Sequence, residues 1–200
     1  FVQAQLTSIG IPFSILGETG VIGIIKGNPS NRVIALRADM DALPIHEENK
    51  VSYASTKDGV MHACGHDVHT TCLLGAARIL NELKDQWDGT IKLIFQPGEE
   101  KNPGGASILI KDGVLKNPVP QRIYGQHVHP QLEVGRMNFA SGKVMASADE
   151  IYITIKGKGG HAAKPNLTAD TILTAAQIVN ALQQLISRNN NPLSPSVLSI

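Results

Sequence analysis

Val33-Ile34-Ala35-Leu36-Arg37-Ala38 is a nearly continuous apolar run that passes directly into Asp39-Met40-Asp41-Ala42-Leu43-Pro44. A strand with one wet face alternates apolar and polar residues, whereas a strand buried on both faces does not. The run therefore predicts an interior strand of the kind found in parallel sheets, with two acids at its carboxyl end. Ligands on open α/β sheets gather beyond that end.

The flanking segments agree with such a sheet. Val2, Leu6 and Ile9 predict the end of a helix stopped by Gly10. Val21-Ile22-Gly23-Ile24-Ile25 predicts a strand, closed by the turn Gly27-Asn28-Pro29. Residues 68–83 place Val68, Cys72, Leu73, Ala76, Ile79, Leu80 and Leu83 on one apolar face, as a helix requires. Asp88-Gly89 turns the chain into the strand Ile91-Lys92-Leu93-Ile94-Phe95. Gly104-Gly105 opens a short helix through Ile110, and Ile123-Tyr124-Gly125 predicts a further strand. Strands alternating with helices predict an α/β fold, a mostly parallel or mixed sheet flanked by helices.

The character changes near Ser141-Gly142. Ile151-Tyr152-Ile153-Thr154-Ile155-Lys156 alternates with period two, like a strand with one wet face. Ala169, Ile172, Leu173, Ala176, Val179, Leu182 and Leu185 predict a second amphipathic helix, and Ser196-Val197-Leu198-Ser199-Ile200 the start of a strand. The expected division is a first domain over residues 1–145 and an α+β domain over residues 146–200 that is cut short. Phe1 is no natural start, so a lost upstream segment is allowed for.

Composition excludes several classes of function. The net charge is +1 and aromatics make up 4% of the chain, so nothing draws it to nucleic acid or to a membrane surface. No apolar run has the length of a membrane span. Cys64 and Cys72 are too few for a disulfide framework, and about two turns of predicted helix separate them. A reduced, cytoplasmic interior is expected.

Chemistry-bearing residues concentrate at the predicted strand ends. His62-Ala63-Cys64-Gly65-His66-Asp67-Val68-His69-Thr70 packs thiol, imidazole and carboxylate into nine residues just ahead of a helix. Gly65 lets the backbone aim Cys64 and His66 at one point, and both are good ligands for zinc and similar ions. The helix N-terminus is expected to favour the thiolate. A buried free cysteine beside a capping Asp67 fits those nine residues equally well. Glu99-Glu100 follows a Pro-Gly turn, where one carboxylate can ligate a metal while its neighbour moves a proton; a solvated acidic loop is the plain alternative. His127 and His129 follow the last predicted strand of the first domain. Gly157-Lys158-Gly159-Gly160 lacks the spacing of a phosphate loop, and His161 on its own is an ordinary loop histidine.

Taken together, Leu36 to Pro44, His62 to Thr70, Pro97-Gly98-Glu99-Glu100 and Gly159-Gly160-His161 resemble the motifs of the metal-dependent amidohydrolases. That family includes hippurate hydrolases, N-acyl-amino-acid and N-acetyldiaminopimelate deacetylases, and plant auxin-conjugate hydrolases. The resemblance implies a zinc-peptidase-like catalytic domain with an inserted lid and dimerisation domain, and a homodimer formed through the lid. It implies two divalent ions, zinc or manganese, per full-length subunit. Cys64, His66, Glu100 and His127 would be ligands, Glu99 the general base and Asp41 an orienting group. His161, from the lid and in related dimers from the partner subunit, would stabilise the oxyanion. Asp67 and His69 would stand behind the ligands. The implied substrate is an N-acyl amino acid; a dipeptidase or aminopeptidase on the same scaffold, or a non-catalytic metal-binding domain, are the competing readings. The chain departs from the family at Pro165-Asn166 and Asp170-Thr171, where relatives often carry Pro-His and Asp-Pro. A further metal-binding histidine, expected after the lid, would lie beyond Ile200, so the chain looks like a fragment.

Overall fold

The computed structural model describes residues 1–200. They form two compact units, Phe1–Val134 and Gly135–Ile200.

The first unit is built on a five-stranded mixed sheet. Its strands are β1 (Phe13–Leu16), β2 (Gly20–Lys26), β3 (Asn28–Asp39), β4 (Asp88–Gln96) and β5 (Arg122–Gly125), in the spatial order β1-β2-β4-β3-β5. β3 runs parallel to β4 on one side and to β5 on the other, while β2 lies antiparallel to β4 and to β1. The apolar run at 33–38 is thus the parallel heart of the sheet. Three helices complete the unit: α1 (Val2–Ser8), α2 (His66–Glu82) and α3 (Gly105–Lys111).

Both faces of the sheet are covered, which is why its central strands read as continuous apolar runs. On one face Ile91, Leu93 and Phe95 of β4 pack with Val2 and Leu6 of α1 and Leu73 and Ala77 of α2. On the other, Ile94, Ala35 and Ile22 pack with Leu109 of α3 and with Val114. Leu93 and Phe95 are fully buried, each contributing on the order of 2 kcal/mol. Lys92 is also buried, on the α3 side. Its ammonium donates to the carbonyls of Val114, Lys116 and Pro118, each at 2.8 Å. It thereby pins the connection between α3 and β5.

Three features differ from expectation in this unit. The first is the face of the helix expected at 68–83: Val68, Cys72, Ile79 and Leu83 are exposed, and the buried stripe is His66, His69, Thr70, Leu73 and Ala77. β1 was not expected: it is a four-residue edge strand between Pro12 and the turn at Gly17, too short to show a period. α2 begins at His66 and not at residue 68, because Gly65 takes the left-handed conformation (φ 79°) and turns the chain directly into the helix. Two residues of the metal-type motif, His66 and His69, therefore sit inside the first turns of α2.

The second unit contains α4 (Thr171–Gln184), capped by Asp170, whose carboxylate accepts from the amides of Ile172 and Leu173. A π-helical turn, Leu185–Asn189, continues it. The strands expected at 151–156 and 196–200 are absent. A strand exists only through its partner, and the sole pairing here is an isolated bridge between Lys158 and Ala169. No residue of this unit is buried; Ile151, Tyr152 and Ile172 are among its exposed apolar side chains.

Candidate metal centre

Four chain segments meet beyond the carboxyl ends of the parallel strands. β3 delivers Asp39 and Asp41, the start of α2 delivers Cys64, His66 and His69, the loop after β4 delivers Glu99 and Glu100, and the loop after β5 delivers His127. Three overlapping sets have metal-ligand spacing, with ligand atoms all within 4.8 Å of one another: Cys64, His66 and His127; His66, Glu99 and Glu100; and Asp39, His66 and His69. His66 belongs to all three.

Hydrogen bonding determines which nitrogen of His66 is free. Nδ1 lies 2.9 Å from the carbonyl oxygen of Asp41 and 3.1 Å from its Oδ1. A carbonyl only accepts, so Nδ1 carries the proton and Nε2 presents a lone pair. That Nε2 is buried and has no hydrogen-bond partner. Its nearest charged neighbours are Asp39 Oδ2 at 3.6 Å and Glu100 Oε1 at 3.8 Å. A buried acceptor facing carboxylates is costly unless a cation stands between them. The donor set, one thiol, two imidazoles and two glutamates, fits a divalent ion.

His127 is arranged in the same way. Its Nδ1–H donates to the Val128 carbonyl at 2.7 Å, and the Cys64 thiol lies 3.4 Å from Nε2. Asp41 supports the cluster from beneath. Besides holding His66, its Oδ2 accepts from the Glu100 amide at 3.0 Å. Burial works to raise the Asp41 pKa, but the Glu100 and Glu99 amides and the nearby His66 hold it below the ordinary carboxylate range.

The Cys64 thiol corrects one expectation. Burial first, and then the carboxylates of Glu100, Glu99 and Asp39, push it up to about 11. A helix terminus offers roughly half a unit charge, and full negative charges nearby outweigh it. The same surroundings attract a cation, whose charge would reverse the shift.

His129 and Asp67 belong to none of the ligand sets. His161 is in the second unit, exposed, in a turn where its Nδ1 accepts from the Ala163 amide. Sequence reasoning missed Arg37, whose Nη1 reaches Asp39 Oδ2 at 2.7 Å. The signal was present: a cation inside a buried apolar run needs an acid.

The pattern that describes peptidase family M20/M25/M40 matches residues 35–198. The chain belongs to this family. Among curated relatives, it is 45% identical to an N-acyl-L-amino acid amidohydrolase of Geobacillus stearothermophilus, an alignment covering 100% of this chain and 54% of that protein. It is 47% identical to an N-acetylcysteine deacetylase of Bacillus subtilis (strain 168), covering 92% and 47%. A crystal structure of a candidate aminohydrolase from methicillin-resistant Staphylococcus aureus aligns with a TM-score of 0.78 at 33% identity, over 98% of this chain and 52% of that one. The Bacillus subtilis YXEP protein, described as a dinuclear metal binding peptidase from the M20 family, aligns with a TM-score of 0.63 at 43% identity, over 67% and 37%. The chain spans about half the length of the curated relatives it matches. The mixed sheet flanked by helices in the first unit matches the catalytic-domain fold of this family. No helix is long and apolar enough to cross a membrane.

Proposed function

We propose that this chain carries the metal-binding region of a hydrolase that cleaves the amide bond of N-acyl amino acids. The observation that carries the reading is the buried, unpartnered Nε2 of His66 at the shared corner of the three ligand sets. The relatives named as amidohydrolase and deacetylase support the substrate class. Cys64, His66, Glu100 and His127 would hold the metal, two ions per full-length subunit, zinc or manganese. When bound, a divalent ion supplies Lewis-acid polarisation of the scissile carbonyl and lowers the pKa of the attacking water.

This chain's own residues do the rest. Glu99 is exposed beside Glu100, where its carboxylate takes a proton from water and passes it to the leaving amine. Asp41 keeps the proton of His66 on Nδ1, so that Nε2 stays a ligand. His161 donates to the oxyanion as the carbonyl becomes tetrahedral. Residues 1–145 act as the catalytic part and residues 146–200 as part of a lid through which two subunits pair. The enzyme is assigned to the cytoplasm, with no nucleic-acid or membrane partner.

The test is a hydrolysis screen of the full-length protein with hippurate, N-acetyl amino acids and dipeptides, alongside metal analysis. Turnover of the N-acyl substrates should vanish on chelation and return with zinc or manganese. Cleavage of dipeptides alone would make the protein a peptidase in substrate as well as in family, and metal without hydrolysis would make it a binding domain.

A further inference from the structure

Residues 126–129 follow β5 and are exposed or only half-buried, yet His127 has to stay against Cys64. One backbone donor ties this loop to the unit's interior. The Val128 N–H donates to Nε2 of His69 at 2.9 Å. A ring nitrogen that accepts carries no proton, so Nδ1 of His69 carries it and donates to Asp39 Oδ1 at 2.7 Å. Asp39 is itself locked: Arg37 Nη1 reaches its other oxygen at 2.7 Å, and the Thr70 hydroxyl donates to its carbonyl at 2.9 Å. Arg37 is steadied in turn by Gln96 Oε1, 2.9 Å from Nε. Bonds therefore run without a gap from β4 through β3 and α2 to the loop after β5. The His127 ring lies edge-on to that of His69, centroids 4.6 Å apart. Val128 also packs so closely on Gly65 that any side chain there would collide with it.

We propose that His69 is a positioning residue for His127, the strut through which Asp39 and Arg37 set the loop that carries this ligand. The inference rests on His127 being a metal ligand. It also assigns His69 a place outside the coordination sphere, although its spacing to Asp39 and His66 is that of a ligand. Both of its nitrogens are committed, one as donor and one as acceptor, and no lone pair is left for an ion.

Two substitutions separate the halves of the strut. Glutamine in His69→Gln can set an amide oxygen where Nε2 lies and accept from Val128. Asparagine in His69→Asn reaches Asp39 but is too short for Val128. Zinc affinity of the full-length protein, measured by competition with a chromophoric chelator, should fall about 10–100-fold in His69→Asn and distinctly less in His69→Gln. In a double-mutant cycle, adding His69→Asn to His127→Ala should cost no further affinity, because both remove the same ligand. Equal losses in the two His69 variants, or additive losses in the cycle, would overturn the proposal. Should neither variant fold, nitrogen NMR of the parent decides. His69 should be the Nδ1–H tautomer with coupling from the Val128 amide to Nε2, before and after zinc is added; a His69 nitrogen that turns to zinc overturns it. If His127→Ala itself binds zinc unchanged, the ligand assignment fails, an outcome distinct from one in which only His69→Asn is silent.

Discussion

His66 shows how little a side chain needs in order to become a ligand once its other nitrogen is spoken for. Two oxygens of Asp41 accept from Nδ1–H, and the residues clustered with His66 are carboxylates, a thiol and two further imidazoles. Cys64 carries the matching consequence for pH. With its thiol pushed up to about 11, the sulfur holds its proton at neutral pH, and a metal has to displace it. Zinc affinity should then rise with pH, by about tenfold per unit for this one group, and the rise should flatten only near the thiol's own pKa. Calorimetry in buffers of different ionisation enthalpy would count the released proton. Cys64→Ser should release about one fewer, and an unchanged count would remove Cys64 from the ligand set. Glu99 is expected to act on protons alone. Glu99→Gln keeps its size and should keep the metal while losing a factor on the order of 10²–10⁴ in rate. Metal loss in that variant would make Glu99 a ligand.

Elements do two jobs at once here. The buried stripe of α2 begins with His66, His69 and Thr70 and continues as Leu73 and Ala77. One helical face is therefore site in its first turns and hydrophobic core afterwards. Of that stripe the apolar periodicity pointed to Leu73 alone: Ala77 lay outside the expected face, and Val68, Cys72, Ile79 and Leu83 of that face are exposed. β4 shows the opposite case, a charge that belongs to the core. Lys92 satisfies three backbone carbonyls that no strand or helix reaches. Lys92→Met keeps the bulk and strips the donors, and should cost about 2–4 kcal/mol, read as a lower urea midpoint at unchanged slope. A cost under about 1 kcal/mol would mean that the connection from α3 to β5 satisfies itself without the lysine. In the second unit the alternation at 151–156 was legible and its pairing was not. An alternating pattern specifies which face wants burial; hydrogen-bonded neighbours decide whether a strand forms.

At the scale of the whole molecule, the proposal assigns proton transfer to Glu99 and the oxyanion contact to His161, and pairs two subunits through the lid. Full-length His161→Ala and Glu99→Gln proteins should each be nearly inactive and each retain metal. Mixed together, they should recover part of the parent rate if His161 serves the partner's site, since a hybrid dimer then holds one site with both groups intact. No recovery, with subunit exchange shown by a tag-based pull-down, would put His161 in its own subunit's site or outside the reaction.

Sequence alone determined the parts that depend on local pattern. The nearly continuous apolar run at 33–38 specifies a strand with both faces covered, because only full burial removes the need for alternation, and 91–95 specifies a further strand. Gly65 between Cys64 and His66 specifies a backbone free to aim both side chains at one point. The clustering of acids, thiol and imidazoles at strand ends specifies where chemistry gathers. Tertiary structure decided what depends on partners distant in the chain. The tautomer of His66 follows from Asp41, 25 residues away, and that of His69 from Val128, 59 residues away. The protonation of Cys64 follows from carboxylates brought in by β3 and by the loop after β4. Electrostatics and hydrogen bonds act through space, so a residue type announces what chemistry it can do, and only its folded neighbours settle which proton it holds.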